Sequence, residues 1–240
     1  MNTPNEPADD PPTDLADALH ADPAMVARLI ADEQSAAGPD GPRGARTKAK
    51  LKDAALEAFE ELGWTPTRVQ DIVKRAGVSH GTFYTYYKNK TALLDELVRE
   101  RMTHLIALGM QEWEAADVRG ALERIIGGFL DRYQQDTIVM RTWLQAARDD
   151  PEFGQLYRAA RKIFIERVAV QVAATVQASG QARDFSPVTI ASALVAMVEH
   201  FAYCWLVLGE EHDRDQAVAS LVMVWGSTLN SLAGFQVCEP

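Results

Sequence analysis

The chain has 240 residues, of which 47% are hydrophobic and 24% charged, and its formal net charge is −10. This balance is typical of globular proteins and excludes a chain that is disordered throughout. Two cysteines are too few for a disulfide scaffold, and residues 1–10 lack the basic and apolar regions of a secretory signal, so we expect a cytoplasmic protein.

The charges divide the chain into three parts. Residues 1–42 carry nine acids against one base, residues 43–90 carry ten bases against five acids, and residues 91–240 carry thirteen bases against twenty acids. A basic block inside an acidic protein indicates a module that binds a polyanion, joined to a part with another role.

Residues 1–45 are expected to form an acidic, mostly flexible arm. Seven of the eleven prolines lie within the first 42 residues, among few large apolar side chains, a composition typical of segments that do not fold alone. One short helix is expected after Asp22 and Pro23, which have the pattern of a helix start. Glycines and a proline then indicate a linker, at Gly38, Gly41, Pro42 and Gly44.

Beyond the linker, apolar residues recur at helical spacing and no alternating strand pattern appears, which predicts an all-α fold. One amphipathic helix is predicted to end at Gly63 and a short second helix at Gly77. A third is predicted over 79–87, and a fourth from Thr91. Further helices are predicted at about 117–135, 138–149, 151–178, 187–209 and 213–233.

Residues 64–90 have the pattern of a helix-turn-helix, in which the second helix enters the major groove of DNA. Gly77 can adopt the left-handed conformation that ends the first helix, and Ser79 can cap the second. Phe83 and Tyr87, four residues apart, are expected to face inward. The residues between them, Tyr84, Thr85 and Tyr86, are then available to contact DNA phosphates or base edges.

This segment resembles the TetR family of one-component transcriptional regulators over about residues 46–94. The match is carried by residues at the spacing of that family's signature, namely Gly63, Thr67, Ile72, Ala76, Gly77, Val78, Ser79, Gly81, Thr82, Tyr84, Tyr86, Lys90 and Leu93. The resemblance implies a three-helix DNA-binding head at 46–90 and an all-helical domain at 91–240 that binds a ligand and dimerises. Family members typically repress nearby genes and release DNA when a small molecule binds.

DNA-contact roles follow from the resemblance, together with charge and placement. Phosphate contacts are expected, by the resemblance, from Thr67, Tyr84, Tyr86 and Lys90 and, by charge and placement alone, from Arg46 and Lys88. The leading edge of the recognition helix, formed by His80, Gly81 and Thr82, is small and polar, so its backbone can approach DNA. Ser79, which caps this helix, is also expected at the DNA. Base readout is expected from His80, Thr82 and Thr85, because contacts to groove edges specify sequence. The alternatives are that Thr67 only caps a helix and that Lys88 is a solvated surface charge.

The C-terminal part is rich in aromatic and methionine residues, which suits an apolar cavity between facing helices. We expect a small apolar or amphipathic effector bound by Trp113, Phe129, Met140, Trp143, Met197, Glu199, His200 and Phe201. Ordinary core packing is the alternative for each apolar member of this set. An ion pair with another helix is an equally good account of Glu199 and His200.

The last two predicted helices are too apolar for the surface of a monomer. Residues 188–208 are long enough to span a bilayer, but Glu199 and His200 lie near the middle, where an acid is costly. A helix buried by its own domain on one side and by a partner subunit on the other is therefore preferred. We expect a homodimer through about residues 187–233, no membrane contact, and a palindromic operator.

The sequence lacks the common motifs of other functional classes. The chain has no His-Glu-x-x-His, no Cys-x-x-Cys, no phosphate-binding glycine loop and no nucleophile elbow, so neither an enzyme nor a cofactor or metal is expected. The second hypothesis is a DNA-binding regulator without a ligand, controlled by a protein partner through the acidic arm. A core without a cavity would favour it. The sequence leaves open the effector, the operator, the role of the arm, and repression against activation.

Overall fold

The computed structural model describes residues 41–109, 117–179 and 186–233, and all regular secondary structure in these ranges is helical. In chain order the helices are α1 (Pro42–Leu62), α2 (Val69–Ala76), α3 (His80–Tyr86), α4 (Lys90–Gly109), α5 (Val118–Gln135), α6 (Thr137–Asp149), α7 (Pro151–Ser179), α8 (Pro187–Leu206) and α9 (Arg214–Leu232). The all-α prediction is confirmed. The expected short helix near Pro23, most of the acidic arm and Trp113 lie outside the described residues.

Helices α1, α2 and α3 pack around a small core that the start of α4 completes. Leu51, Phe59, Ile72 and Phe83 are fully buried there. Gly77 ends α2 in the left-handed conformation, with φ 65° and ψ 35°, as expected from its position. The Ser79 hydroxyl accepts the backbone N–H of the third residue of α3, at 3.1 Å, so the predicted cap is present.

Helix α1 begins earlier than expected. Pro42 stands at its first position, where a missing N–H has no cost, and Gly44 is buried inside the helix. The prediction that Pro42 and Gly44 form a linker is therefore wrong. The boundary expected between residues 45 and 46 therefore falls within α1. Proline disrupts the interior of a helix but is favoured at its first position, so Pro42 marks the start of α1 and not a linker.

Helices α5 to α9 and the second half of α4 form a bundle. The long α7 is its central member and contacts α4, α6, α8 and α9. At the corner between α5 and α6, the buried Asp136 forms an ion pair with Arg101 of α4, with 2.7 Å between nitrogen and oxygen. An exposed bidentate pair joins α9 to α5, with both nitrogen–oxygen distances of Arg214 and Asp131 at 2.7 Å.

Helix α4 connects the three-helix head to the bundle. Its Glu96 pairs with Lys48 and Lys52 of α1, and its Glu100 also pairs with Lys52. Burial alone would lower the pKa of Lys52, but the hydrogen bonds to Glu100 and Glu96 outweigh burial and raise it. These ion pairs fix α4 against α1.

Helices α8 and α9 leave an apolar surface uncovered. In the part of the chain that the structure describes, only α8 has the length and apolarity of a membrane span, a property that core helices share. Its inward face packs on α7 and α5, and the residues buried there are Ala191, Leu194, Val195, Val198 and Ala202. In α9, Met223 is 65% exposed and Val224 is 42% exposed.

Candidate functional site

The recognition helix α3 presents a short polar face to solvent. His80, Gly81, Tyr84 and Thr85 are exposed. Phe83 and Tyr87 point the other way and are fully or almost fully buried, as predicted. The Tyr84 ring stands edge-on to Phe83, with 5.6 Å between ring centroids. Four of the residues expected at DNA therefore lie beside one another on an open surface.

Hydroxyl groups at the start of α3 are already bonded to one another or to the backbone. The Ser79 and Thr82 side-chain oxygens lie 2.9 Å apart, and the Thr85 hydroxyl donates to the Gly81 carbonyl at 3.0 Å. These bonds hold the side chains in defined rotamers. The base edges in a DNA groove would then meet side chains that are already held in place.

A cleft of about 650 Å³ separates the first turns of α1 from α3. It is lined by Arg43, Gly44, Thr47, Gly77, Val78, Ser79, Thr82 and Tyr86. Arg46 is exposed one turn further along α1. Arg43 was missed because α1 was expected to begin after it. Its charge within the basic block was the signal that could have found it.

The Thr67 hydroxyl faces the interior. Thr67 is 1% exposed, and its hydroxyl donates to the Gly63 carbonyl at 2.6 Å and lies 3.2 Å from the Ala58 carbonyl. The N-cap of α2 is Arg68, whose backbone N–H donates to the Asp71 carboxylate at 2.9 Å. The expected phosphate contact and the alternative capping role of Thr67 are both corrected, because its side chain closes the loop before α2.

The Lys90 ammonium also points into the protein. It donates to the carbonyls of Trp64 at 2.6 Å, Thr65 at 3.2 Å and Thr67 at 2.7 Å. It lies 4.4 Å from the centroid of the Trp64 ring. Burial lowers the pKa of Lys90. The expectation of a phosphate contact is corrected, because main-chain carbonyls take up the ammonium's donors.

Lys88, by contrast, is exposed. It lies at the head end of a polar groove between α4 and α7 that also has Asp95, Arg99 and Glu152 on its walls. Its position suits either a phosphate contact or a solvated charge.

A cavity of about 610 Å³ lies inside the bundle. Five of the eight predicted ligand residues line it, namely Phe129, Met140, Trp143, Glu199 and His200. Met197 packs against the core and does not line it. The Phe201 ring lies 4.8 Å from that of His212, so Phe201 belongs to a surface cluster at the end of α8. The prediction is corrected for these two residues, because both pack against other parts of the core and neither lines the cavity.

Further aromatic side chains complete the cavity wall. Four belong to the aromatic set of the C-terminal part but were not assigned to the effector, namely Tyr133, Tyr157, Phe164 and Tyr203. On α7 the lining residues follow a helical stripe at Tyr157, Ala160, Arg161 and Phe164, a spacing that was visible in the sequence. From α4, Met102 and Leu105 reach the same space. The connecting helix is therefore part of the cavity wall.

One side of the cavity is polar. Arg161 of α7 forms an ion pair with Glu199 of α8, the alternative role considered for that glutamate. Burial raises the pKa of the Tyr133 hydroxyl, and the nearby Tyr157 and Tyr203 raise it further, so this hydroxyl stays neutral. A smaller apolar lobe of about 70 Å³ adjoins, with Glu199 on both walls. The space can take an apolar molecule that bears one polar group.

Two family models match the chain. The model for bacterial regulatory proteins of the tetR family matches residues 51–97. The model for the C-terminal part of BetI-type transcriptional repressors matches residues 118–223. The first match covers the helix-turn-helix and the start of α4, and the second covers α5 to α8, four of the five helices that line the cavity.

Curated relatives carry the same description. The HTH-type transcriptional regulator BetI of Serratia proteamaculans (strain 568) is 29% identical over 160 residues, which is 61% of this chain and 81% of that protein. The protein of that name from Yersinia pestis (strain Pestoides F) is 32% identical over 114 residues, covering 46% of this chain and 58% of the relative.

Solved structures share the fold at low sequence identity. The fatty acid degradation regulator FadR of Bacillus halodurans superposes with a TM-score of 0.63 at 19% identity, covering 84% of this chain and all of that one. A transcriptional regulator from Aquifex aeolicus VF5 gives 0.60 at 20% identity, covering 76% and 99%. With its helix-turn-helix, its bundle and both family models in agreement, the chain belongs to the TetR family of DNA-binding transcriptional regulators.

Proposed function

We propose that this protein is a repressor that binds a palindromic operator as a dimer and is released when a small apolar or amphipathic effector enters the bundle cavity. One observation carries the proposal. Helix α4 contributes Met102 and Leu105 to the cavity wall, while Glu96 and Glu100 of the same helix are ion-paired to the head. A molecule in the cavity therefore contacts the helix that holds the DNA-binding surface.

At the DNA, the exposed face of α3 reads the major groove through His80 and Thr85, with Thr82 beside them. Phosphate contacts come from Tyr84 and Tyr86 of α3, from the exposed Arg46 of α1, and from the exposed Lys88, two residues beyond the end of α3. Thr67 and Lys90 act indirectly, by holding the loop that precedes α2.

The uncovered apolar surface of α8 and α9 supports dimerisation. Met223→Asp would place a charge at an interface that excludes water and is expected to shift the protein toward monomers. Met223→Leu is the matched control because it preserves the apolar surface. Sedimentation at several concentrations measures both. An aspartate variant that dimerises as tightly as the wild type would place the interface elsewhere.

The cavity favours a small-molecule effector over control by a protein partner through the arm, the alternative that a solid core would have supported. A 100-fold loss of operator affinity corresponds to a coupling free energy of about 2.8 kcal/mol. Linkage requires operator DNA to lower the effector's affinity by the same factor.

The experiment begins with selection of the operator from random duplexes by the full-length protein in the cytoplasmic range of salt and pH. Apolar and amphipathic compounds are then screened for release of that operator. Calorimetry of an active compound, with and without operator, tests the linkage. Equal effector affinities in the two titrations would contradict release by differential binding.

A further inference from the structure

The loop between α1 and α2, residues 63–68, is held by three other helices. From α6, the Gln145 side-chain oxygen accepts the backbone N–H of Trp64 at 3.1 Å. From α7, the Phe153 ring stands at right angles to the Trp64 indole, 6.0 Å away. From α4, Lys90 binds the loop carbonyls. Trp64 itself is 7% exposed, so the loop is a packed joint.

The helices that hold this loop also form walls of the bundle cavity. Trp143, Leu144 and Ala147 of α6 line the cavity. Gln145 lies between them in sequence but faces the head. In the preceding turn, Arg141 donates to the Glu60 carbonyl at the end of α1, at 3.4 Å. One face of α6 therefore meets the cavity, and another face meets the head.

The loop continues directly into the helix-turn-helix. The Thr67 hydroxyl donates to the Gly63 carbonyl within the loop and lies 3.2 Å from the Ala58 carbonyl of α1. The Arg68 backbone N–H donates to Asp71 at the start of α2. The rigid turn at Gly77 then carries α3 with α2. A shift of α6 against the loop is therefore passed to the recognition helix through elements that have little freedom of their own.

We infer that Gln145 is a positioning residue, which sets the orientation of the DNA-binding head by holding the Trp64 amide. This contact is separate from the one through α4, whose Glu96 and Glu100 are ion-paired to α1. Gln145 instead reaches the head through the α1–α2 loop. In a dimer it also sets the separation of the two recognition helices and therefore the spacing between operator half-sites. That last consequence rests on the proposed dimeric function.

The first test uses hydrogen exchange in the full-length protein, measured without DNA. Gln145→Leu removes the acceptor, and exchange of the backbone amides at residues 63–68 is expected to rise about fivefold, the equivalent of one neutral hydrogen bond of about 1 kcal/mol. Gln145→Glu keeps an acceptor and should restore protection. Gln134→Leu, a change at an exposed glutamine of α5, should leave it unaltered.

Unchanged exchange in Gln145→Leu, or loss of protection in Gln145→Glu alone, would overturn the inference. Thermal unfolding is measured for each variant. If the leucine variant does not fold, Gln145→Ala removes the same acceptor without adding an apolar branch, and the same outcomes apply to it.

The second test uses duplexes that carry the selected half-site as an inverted repeat, at the selected spacing and with one base pair added or removed. The wild type is expected to discriminate among these spacings, and Gln145→Leu to lose severalfold of that discrimination while Gln145→Glu retains it. Wild-type discrimination that persists in Gln145→Leu refutes the positioning role. Absence of discrimination in the wild type refutes the proposed dimer on a palindrome, and the exchange result then stands alone.

Discussion

Replacing Lys90 with Met separates a structural role of this residue from a phosphate contact. The change removes an ammonium that donates to the carbonyls of Trp64, Thr65 and Thr67. A hydrogen bond to a charged group contributes about 1.5–3 kcal/mol. Thr65 is exposed, so water can replace that contact, whereas Trp64 and Thr67 are buried. Relief of the desolvated charge offsets part of the loss.

The expected net loss is about 2–3 kcal/mol in the free energy of unfolding. For a domain of this size it corresponds to a fall of about 4–12 °C in the unfolding temperature. Urea unfolding and a thermal scan measure the two quantities. Lys88→Met is the matched control, because Lys88 is exposed and its loss should change stability by less than about 0.5 kcal/mol.

DNA binding supplies the contrasting readout. A phosphate contact contributes about 0.9 to the slope of log affinity against log salt. With its ammonium held by carbonyls, Lys90→Met should keep the wild-type slope even though affinity falls, while Lys88→Met should lower the slope if Lys88 contacts phosphate. Wild-type stability together with a reduced slope in Lys90→Met would refute the reasoning and restore the phosphate contact.

Three further predictions concern the head and the bundle. Phe83→Ala removes a fully buried ring and should cost about 3–5 kcal/mol, abolishing DNA binding in an electrophoretic shift assay while the bundle still melts cooperatively. Gly77→Ala meets no atom within 4 Å but holds a φ of +65°, so urea unfolding should show a loss of about 1–2 kcal/mol from backbone strain alone. The hydrogen bond with Arg214 lowers the pKa of Asp131 below 3.8, so the stabilisation is full above that value and is lost as pH falls through the lowered pKa. Arg214→Met should remove this pH-dependent part of the free energy of unfolding, which is less than about 1 kcal/mol for a largely exposed pair. If unfolding of the variant depended on pH as it does in the wild type, the prediction would be wrong.

Helix ends were predicted well where a single capping residue or glycine determines the local backbone. Gly77 and Ser79 each act on their own turn of backbone, and the end of α2 and the start of α3 lie where these residues placed them. The exposed face of α3 was predictable for the same reason, since a seven-residue helix with Phe83 buried leaves few arrangements for its polar residues.

Contacts between distant segments were not predictable in this way. The partners of Lys90 lie 23 to 26 residues earlier, and Gln145 meets Trp64 across 81 positions. Where such side chains point depends on how helices cross. The aromatic composition likewise indicated a cavity, but helix rotation decided that Tyr157 and Phe164 line it while Met197 and Phe201 do not.

The bundle cavity has a practical consequence for identifying its occupant. A molecule that binds only the folded chain raises the free energy of unfolding by about 2.7 kcal/mol when present at 100 times its Kd. For a domain of this size the unfolding temperature rises by about 5–11 °C. The cavity is lined by α4, α5, α6, α7 and α8, so its occupant contacts five helices and stabilises most of the bundle against unfolding. A dye-based melting screen of metabolite collections can therefore find the effector before any operator is known.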